Sequence, residues 1–464
     1  MKILHTSDWH IGRTAGGHLD RTEDFRAVLA ELIAIARESK PDFVLHTGDL
    51  FDGARPAVAD MMTGIQALQA LAAVAPVIVL AGNHDSPALF RLFNLVANGL
   101  SAGQDRAAAG RIRFIDRMRT PEAGGIVDLH SDSTQQRLRL APLPFVHANR
   151  FLEEYRSPDT ATRDYADHLR RAQEDLHRGL LDGLRIHDDV LVFAAHLYVE
   201  GALLSKSEKP IDVADSYLSH AAAIPPVAYA ALGHIHRPQV VTRPGFPCHY
   251  AGSLLQLDFG EVGEQKSVVL VEVEPGRAAH PQVLPLTAGR KLRVIEGTLA
   301  DIAELAPEVG SDIVRVFVDT DTPTPYLGDL VRDLLPQAGI VSVDERCSAV
   351  RVKILDKSAA DPAEEPDLTE LFREYLGSTG TPGARADDVL ATFATLFAEA
   401  AAVESLEDGC APLPEEELLT AVLDGTEPDP GVREQLLITD NAAASLAVEA
   451  EPRASTTRGT RRTR

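Results

Sequence analysis

The sequence has 464 residues, of which 45% are hydrophobic and 25% are charged, and these are the proportions of a globular protein. One hydrophobic core rarely serves so long a chain, so we expect two or three domains. No apolar run reaches the roughly 18 to 20 residues of a membrane span, and no signal-peptide pattern is present, so the sequence predicts a cytoplasmic protein without membrane association. The three cysteines, Cys248, Cys347 and Cys410, are far apart, which argues against a disulfide framework and against a thiolate zinc site.

The formal net charge of −24 counts against nucleic-acid binding, because affinity for a duplex depends largely on Lys and Arg side chains that neutralise phosphates. Much of the acidity lies late in the chain, for example in residues 361–367 and 414–417. The first region is closer to balanced, and its polar loops have arginines nearby: Arg13, Arg21, Arg55 and Arg91. The charge therefore permits a nucleic-acid substrate if a partner supplies the basic groove.

From residue 1 to about residue 114, apolar runs typical of strands alternate with stretches of helical periodicity. The strands end near Thr6, Leu45 and Leu80. The helices span residues 23–38 and 59–74. This alternation predicts βαβ units and a mainly parallel sheet that is covered on both faces. In such sheets, ligands bind outside the carboxyl ends of the strands.

The next region predicts more strands than one sheet of this kind would hold. Shorter strands and turns occupy residues 111–144, and one long amphipathic helix is predicted over residues 163–184. Further strands end at His196 and Gly233. Two stacked sheets with helices outside account for this number of strands. We therefore predict an α/β fold, a two-sheet sandwich flanked by helices, over residues 1–275.

Composition changes at residues 274–276, Glu-Pro-Gly, which predicts a domain boundary. Residues 283–356 then follow the order strand, helix, strand, helix, strand, with the last strand expected at residues 349–354. We expect a small α+β domain there with a scaffolding or substrate-orienting role, because no constellation of metal ligands is present in it. Residues 357–440 are predicted as a linker and helices, and residues 441–464 as a disordered tail.

One stretch after this domain predicts a strongly amphipathic helix. Asp367 and Glu370 have the spacing of a capping box. The apolar residues of the stretch repeat at the i, i+3, i+4, i+7 spacing of one helix face: Leu368, Leu371, Phe372, Tyr375 and Leu376. Such a face packs either on the chain's own domain or in a partner's groove, and the pattern favours neither.

Five short apolar runs end in Asp, Asn or His. The residues at these strand ends are Asp8, His10, Asp49, Asn83, His196, His234 and His236. Each motif alone is weak, since such residues are more often turns or interior histidines than metal ligands. Together they supply seven oxygen and nitrogen donors without a thiolate, a set that suits Mn²⁺, Fe²⁺ or Zn²⁺ and favours Mn²⁺. We expect two divalent ions that share one bridging carboxylate, that of Asp49.

The order of these motifs resembles the calcineurin-like metallophosphoesterases. Within that group, segments Ser7–Gly12, Gly48–Asp52 and Tyr250–Gln256 are similar to those of the SbcD/Mre11 nucleases, and the resemblance covers about residues 1–275. The resemblance implies two metal sites that share one residue: Asp8, His10, Asp49 and His236 on one ion, and Asp49, Asn83, His196 and His234 on the other.

The resemblance also implies roles for residues that are not ligands. His84 would be a catalytic group over the phosphate, and Asp85 would orient it. Asp52 would lie beside the site, although a carboxylate that only stabilises a turn is an equally good interpretation.

A member of this family is expected to be a metal-dependent DNA nuclease, an exonuclease on double-stranded ends and an endonuclease on hairpins or single strands. The resemblance implies that it is the nuclease subunit of an ATPase–nuclease complex in DNA repair and recombination. Its partner would be an SbcC-like coiled-coil ATPase that docks at residues 368–376. The chain would form a homodimer within a heterotetramer associated with the nucleoid, and residues 283–356 would cap the site and orient DNA.

Two other functions stay open. A phosphomonoesterase or cyclic-nucleotide phosphodiesterase on the same fold would use the same ligands, because the ligands report the reaction and not the size of the substrate. A non-catalytic scaffold for an ATPase would be expected to have lost ligands, yet every one is present. Segment Tyr250–Gln256, the small domain and the amphipathic helix favour the nuclease.

Overall fold

The computed structural model describes residues 1–99, 111–147, 158–205, 208, 218–242, 246–348, 372–373, 376, 387 and 389–395. The chain divides into two compact units, Met1–Arg351 and Val352–Arg464. The boundary predicted at residues 274–276 lies within the first unit, so the division into a nuclease domain and a small domain stays a prediction.

The first unit contains the helices and strands whose bounds follow. The helices are α1 (Thr22–Ser39), α2 (Val58–Ala72), α3 (Pro87–Gly99), α4 (Pro158–Leu181), α5 (Leu299–Val309) and α6 (Leu327–Leu334). The strands are β1 (Lys2–Thr6), β2 (Phe43–His46), β3 (Val77–Leu80), β4 (Ile112–Ile115), β5 (Val127–His130), β6 (Arg137–Leu143), β7 (Asp189–His196), β8 (Tyr198–Val199), β9 (Leu218–Ser219), β10 (Tyr229–Gly233), β11 (Gln239–Val240), β12 (Cys248–Tyr250), β13 (Ser267–Glu272), β14 (His280–Pro285), β15 (Leu292–Gly297), β16 (Ile313–Thr320) and β17 (Gly339–Cys347).

The first sheet has the strand order β14-β13-β1-β2-β3-β4, and strands β1 to β4 run parallel. Successive side chains of a strand point to opposite faces, so each strand of this sheet contributes to two cores. Val44 packs in a buried cluster with Phe25 and Val28 of α1. Its neighbour Leu45 packs in the cluster between the two sheets. The apolar stripe of α1 therefore covers the outer face of this sheet.

The second sheet has the strand order β11-β12-β10-β7-β6-β5, and strands β12, β10, β7 and β6 run parallel. Val192 and Ala231 belong to the cluster between the sheets. On the outer face, Phe193 packs in a cluster with Leu169 and Leu176 of α4. These two sheets of the first unit thus form a sandwich with helices on both outer faces, and the predicted α/β fold is confirmed.

A third, smaller sheet has the strand order β15-β16-β17, all parallel, with α5 and α6 as its connections. Its own core includes Ile302 of α5, Val316 of β16 and Val331 of α6. The predicted strand at residues 349–354 lies outside the described residues. The strand that completes the sheet, β17, lies before it and was not predicted.

Few residues of the second unit are described. Phe372 stacks on Phe393 with ring centroids 4.2 Å apart, and Leu376 is buried. Most of the helix predicted over residues 368–376, and all of the tail predicted over residues 441–464, lie outside the described residues.

Candidate metal centre

The candidate ligands follow the carboxyl ends of five parallel strands, three in the first sheet and two in the second. Asp8 and His10 follow β1, Asp49 follows β2, and Asn83 follows β3. In the second sheet, His196 ends β7, and His234 and His236 follow β10. All seven side chains come together at one shared edge of the sandwich, where these strand ends lie.

The backbone at the candidate ligands adopts an unusual conformation. In the described part of the chain, seven non-glycine residues have positive φ angles, and four of them are candidate ligands: Asp8 (49°), His10 (47°), Asp49 (55°) and His234 (100°). L-residues with a Cβ rarely adopt this region, which costs about 1 to 2 kcal/mol each. Strain of this kind persists where the surrounding fold requires it, and here it coincides with four of the seven candidate ligands.

Two glycines allow the loops to approach one another. A Cβ atom on Gly48 would lie 2.1 Å from Nδ1 of His196. A Cβ atom on Gly82 would lie 2.1 Å from Oδ1 of Asp49. Each glycine therefore makes room for a ligand from a different strand.

One group of donors consists of Asp8, His10 and His236, whose ligand atoms all lie within 4.8 Å of one another. The Nε2 atom of His10 is buried, has no hydrogen-bond partner, and lies 3.4 Å from Oδ2 of Asp49. Its Nδ1 atom lies 3.3 Å from Oδ1 of Asp52. A buried imidazole nitrogen without a hydrogen bond fits a metal ligand, because an unpartnered polar atom is otherwise destabilising.

A second group of donors surrounds Asn83. Its Oδ1 atom lies 2.8 Å from Nε2 of His196 and 3.0 Å from Nδ1 of His234. Nδ1 of His196 is 2.8 Å from the carbonyl oxygen of Thr47, which can only accept a hydrogen bond, so this nitrogen carries the proton. Nε2 of His196 therefore faces Asn83 and lies 3.4 Å from Oδ2 of Asp49.

The titratable groups at this edge are buried and shift one another's pKa values. Burial lowers the pKa of His196, but the negative charge of Asp49 outweighs burial and raises the pKa to about 9. Burial raises the pKa of Asp8 to about 6. Burial also opposes ionisation of Asp49, yet His196 and His84 hold the pKa of that carboxyl well below its usual range. An ionised Asp49 at the centre of nitrogen and oxygen donors fits the binding of divalent metal ions.

The family model for calcineurin-like phosphoesterases matches residues 1–238. The chain belongs to this family. Two relatives are both named as the SbcD component of the nuclease SbcCD. The protein of Bacillus subtilis (strain 168) is 32% identical over 295 residues, which are 63% of this chain and 71% of that protein. The protein of Escherichia coli (strain K12) is 27% identical over 394 residues, which are 81% of this chain and 92% of that protein.

These matches confirm the resemblance to the SbcD nucleases and the prediction of a hydrolytic nuclease. Among solved structures, a dimetal phosphatase from Danio rerio has a TM-score of 0.35 and 12% identity, and covers 62% of this chain and 99% of that one. No helix in the described part of this metallophosphoesterase is long and apolar enough to cross a membrane.

Two of the residues predicted from the sequence hold the loops of the metallophosphoesterase site. The carboxylate of Asp85 accepts hydrogen bonds from the backbone N–H groups of Leu50, Phe51 and Gly82, at 2.9 to 3.3 Å. It thereby joins the loop after β2 to the loop after β3. Nδ1 of His84 donates to the carbonyl oxygen of Asp52 at 2.6 Å, so this carbonyl orients the ring of His84, and the orienting role expected of Asp85 stays a prediction.

Sequence reasoning missed the buried carboxylates behind His236. Oε1 of Glu261 lies 3.2 Å from Nδ1 of His236, and Oε2 of Glu261 lies 2.6 Å from Nζ of Lys266. Oε1 of Glu208 accepts a hydrogen bond from the backbone N–H of His236 at 3.1 Å. Neither glutamate lies in a strand-end motif, and no local pattern in the sequence distinguishes either from a surface glutamate.

Two of the arginines predicted near the loops have different environments. Arg13 lies 3.4 Å from Asp52 at the edge of the site and is partly exposed. Arg21 is fully buried, and its Nε atom donates to Asp24 at 3.2 Å. Arg21 is therefore part of the core and is not available to a substrate.

Proposed function

We propose that this chain is a metal-dependent DNA nuclease, the nuclease subunit of an ATPase–nuclease complex in DNA repair and recombination. It acts as an exonuclease on double-stranded ends and as an endonuclease on hairpins or single strands. The observation that carries this proposal is the convergence of seven oxygen and nitrogen donors at one edge of the two sheets. The family match and the relatives named as the SbcD component of a nuclease support it.

Two divalent cations are held by the strand ends, with Mn²⁺ the metal that best suits the mixed donor set. The proposed ligands of one ion are Asp8, His10, Asp49 and His236, and those of the other are Asp49, Asn83, His196 and His234. The contacts among Asp8, His10 and His236 support the first set. The contacts of Asn83 with His196 and His234 support the second set.

Hydrolysis of a phosphodiester is slow because the anion repels hydroxide and the leaving alkoxide is poor. Divalent cations, when bound, would lower the pKa of water and neutralise negative charge on the phosphate. His84 is the protein group that completes this chemistry. Because Nδ1 of His84 donates to the carbonyl of Asp52, Nε2 is the nitrogen that would meet a phosphate oxygen or protonate the leaving oxygen.

The names of the relatives and the exposed apolar side chains of α2 and α3 support the proposed assembly. The partner is an SbcC-like coiled-coil ATPase that docks on residues 368–376, the segment predicted as an amphipathic helix, in the cytoplasm and associated with the nucleoid. A homodimer within a heterotetramer is supported by exposed apolar side chains on α2 and α3, which a second copy would cover. Their exposed fractions are 57% for Met62, 51% for Leu92 and 70% for Leu95. Residues 283–356 are proposed to cap the site and orient DNA.

The test compares substrates on the full-length chain with Mn²⁺. End-labelled linear duplex, hairpin and single-stranded DNA are incubated beside bis(p-nitrophenyl) phosphate, the monoester p-nitrophenyl phosphate and a cyclic nucleotide, with and without the ATPase partner and ATP. We expect metal-dependent cleavage of DNA that the partner stimulates. Rapid hydrolysis of the phosphomonoester or the cyclic nucleotide, without cleavage of DNA, would favour the small-molecule phosphoesterase. No hydrolysis of any substrate, with or without the partner, would favour the scaffold.

A further inference from the structure

Three arginines surround one buried carboxylate just after β4. Asp116 is nearly fully buried, and its oxygens lie 3.3 Å from Arg91, 3.7 Å from Arg117 and 3.1 Å from Arg119. The arginine side chains are 52%, 51% and 44% exposed. We call Arg91, Arg117 and Arg119 the arginine cluster.

The cluster has more positive charge than its structural role requires. One guanidinium group neutralises one carboxylate, so two of the three arginines around Asp116 are surplus to that ion pair. Each guanidinium has five N–H donors in a rigid fork, and the shared carboxylate occupies only part of them. The buried acid also fixes the position of the arginine groups, which reduces the entropy lost when they bind an anion. This local surplus is opposite in sign to the net charge of −24 of the chain.

The segment that contains Arg117 and Arg119 leaves the first sheet at the edge where the candidate ligands of that sheet lie. Strands β3 and β4 are parallel, Leu80 pairs with Ile115, and the N–H of Ala81 donates to the carbonyl of Ile115 at 3.0 Å. The chain after β4, which begins with Asp116, therefore leaves the sheet at the same edge as the loop that contains Asn83. A cavity of about 520 Å³ alongside β4 is lined in part by Arg113, Arg117 and Arg119 and by none of the candidate ligands.

We propose that the arginine cluster binds the phosphate backbone of a nucleic acid next to the metal centre. Guanidinium groups match phosphate oxygens through paired N–H donors, and several fixed guanidiniums suit a polymer of phosphates better than a single small ester. The inference rests on the proposed nuclease function and deepens it, because it names a part of this chain that holds the DNA. It also offers a basic surface within an acidic chain, without help from a partner.

The test is the double variant Arg117→Ala/Arg119→Ala in the full-length, Mn²⁺-loaded enzyme. Arg91 still neutralises Asp116 in this variant, so the fold is expected to persist. We expect KM for labelled duplex DNA to rise about ten-fold with little change in kcat, because binding and not chemistry is affected. The slope of log(kcat/KM) against log[salt] should fall by about two, one for each lost phosphate contact. Hydrolysis of bis(p-nitrophenyl) phosphate should stay at the wild-type rate.

Two control variants sharpen this result. Arg170→Ala removes an arginine that is 44% exposed on α4, as exposed as Arg119, and should leave the KM for DNA unchanged. Arg117→Lys/Arg119→Lys keeps both charges and should keep the salt slope.

An active nuclease whose double alanine variant keeps the wild-type KM and salt slope would overturn the proposed role of the arginine cluster. An equal loss of hydrolysis rate on DNA and on bis(p-nitrophenyl) phosphate would also overturn this role, because the arginines would then act through the metal centre. A wild-type chain that hydrolyses the ester but leaves DNA intact would instead contradict the proposed nuclease function.

Discussion

Asp49 and His84 are hydrogen-bonded neighbours to which we assign different roles. The backbone N–H of His84 donates to Oδ1 of Asp49 at 2.8 Å, while Oδ2 of Asp49 lies 3.4 Å from both His10 and His196. Asp49 therefore lies between the two groups of donors, as a bridging ligand must. The ring of His84 is held by a carbonyl oxygen, which suits a group that acts on the substrate.

The two roles predict that substitution of His84 lowers activity and that substitution of Asp49 lowers metal content. His84→Gln should keep the bound metal and reduce DNA hydrolysis by about 100-fold or more, because general-acid or charge-stabilising chemistry is lost. Asp49→Asn should reduce the metal content, because an amide is a weaker bridge than a carboxylate. Metal per chain is measured by elemental analysis after gel filtration, beside the cleavage rate. A His84→Gln protein that loses its metal would contradict the non-ligand role, and a fully loaded Asp49→Asn protein would contradict the bridge.

At the scale of elements, the connection between β12 and β13 links the metal centre to the third sheet. Glu261 on this connection contacts His236, and the side chain of Gln256 accepts a hydrogen bond from the N–H of Leu292, the first residue of β15, at 2.8 Å. The guanidinium of Arg315, on β16, lies over the ring of Phe259 at 4.7 Å. One short segment therefore contacts both a candidate ligand and the neighbouring sheet.

Glu261→Gln should weaken metal binding at the site that includes His236. A carboxylate behind an imidazole fixes its orientation and increases its basicity, and loss of such a partner typically costs about 10- to 100-fold in metal affinity. Calorimetric titration of the metal-depleted chain with Mn²⁺ measures this change in metal affinity. Glu264→Gln is the matched control, because Glu264 contacts the same Lys266 at 2.9 Å while Glu261 continues to hold His236. Equal Mn²⁺ affinity in the two variants would rule out the positioning role of Glu261.

At the scale of the whole first unit, an ion-pair network joins α1 to the start of the third sheet. The Asp24 carboxylate lies 3.2 Å from Arg21 and 3.0 Å from Arg290, and the side chains of Asp24 and Arg21 are buried. Arg21 also donates to the carbonyl oxygens of Gln256 and Arg290. Burial raises the pKa of Asp24, but the hydrogen bonds from Arg290 outweigh burial and hold that pKa below its usual range.

Asp24→Asn should lower the free energy of unfolding by about 3 kcal/mol at pH 7, because Arg21 is left buried without its counter-charge. A carboxyl with a depressed folded-state pKa stabilises the fold above its unfolded pKa of about 3.9, and this contribution is lost as the pH falls through the folded value. The difference between variant and wild type should therefore shrink below about pH 4. Urea denaturation of both proteins at several pH values measures this difference in the free energy of unfolding.

The control for this measurement is Asp329→Asn, whose exposed carboxylate pairs with the exposed Arg332 on α6. It should change the free energy of unfolding by less than about 0.5 kcal/mol at every pH. A similar effect of both substitutions at pH 7 would show that the Asp24 network does not stabilise the first unit.

Much of the two-sheet fold could be predicted because its signals are local. The strand ends near Thr6, Leu45 and Leu80 and the helices over residues 23–38 and 59–74 follow from periodicity, and they correspond to β1, β2, β3, α1 and α2. Strand β17 was missed because its residues Gly339–Cys347 lack a clean apolar alternation, and several are exposed in the sheet.

The sequence by itself determined the candidate ligands of this metallophosphoesterase, because each stands at the end of an apolar strand and parallel strands bring their ends to one edge. Only the tertiary structure decided what holds and surrounds those ligands. Glu261 is 25 residues from His236, and the Thr47 carbonyl is 149 residues from His196. Contacts over such separations leave no periodic or local signal, because packing between elements creates them.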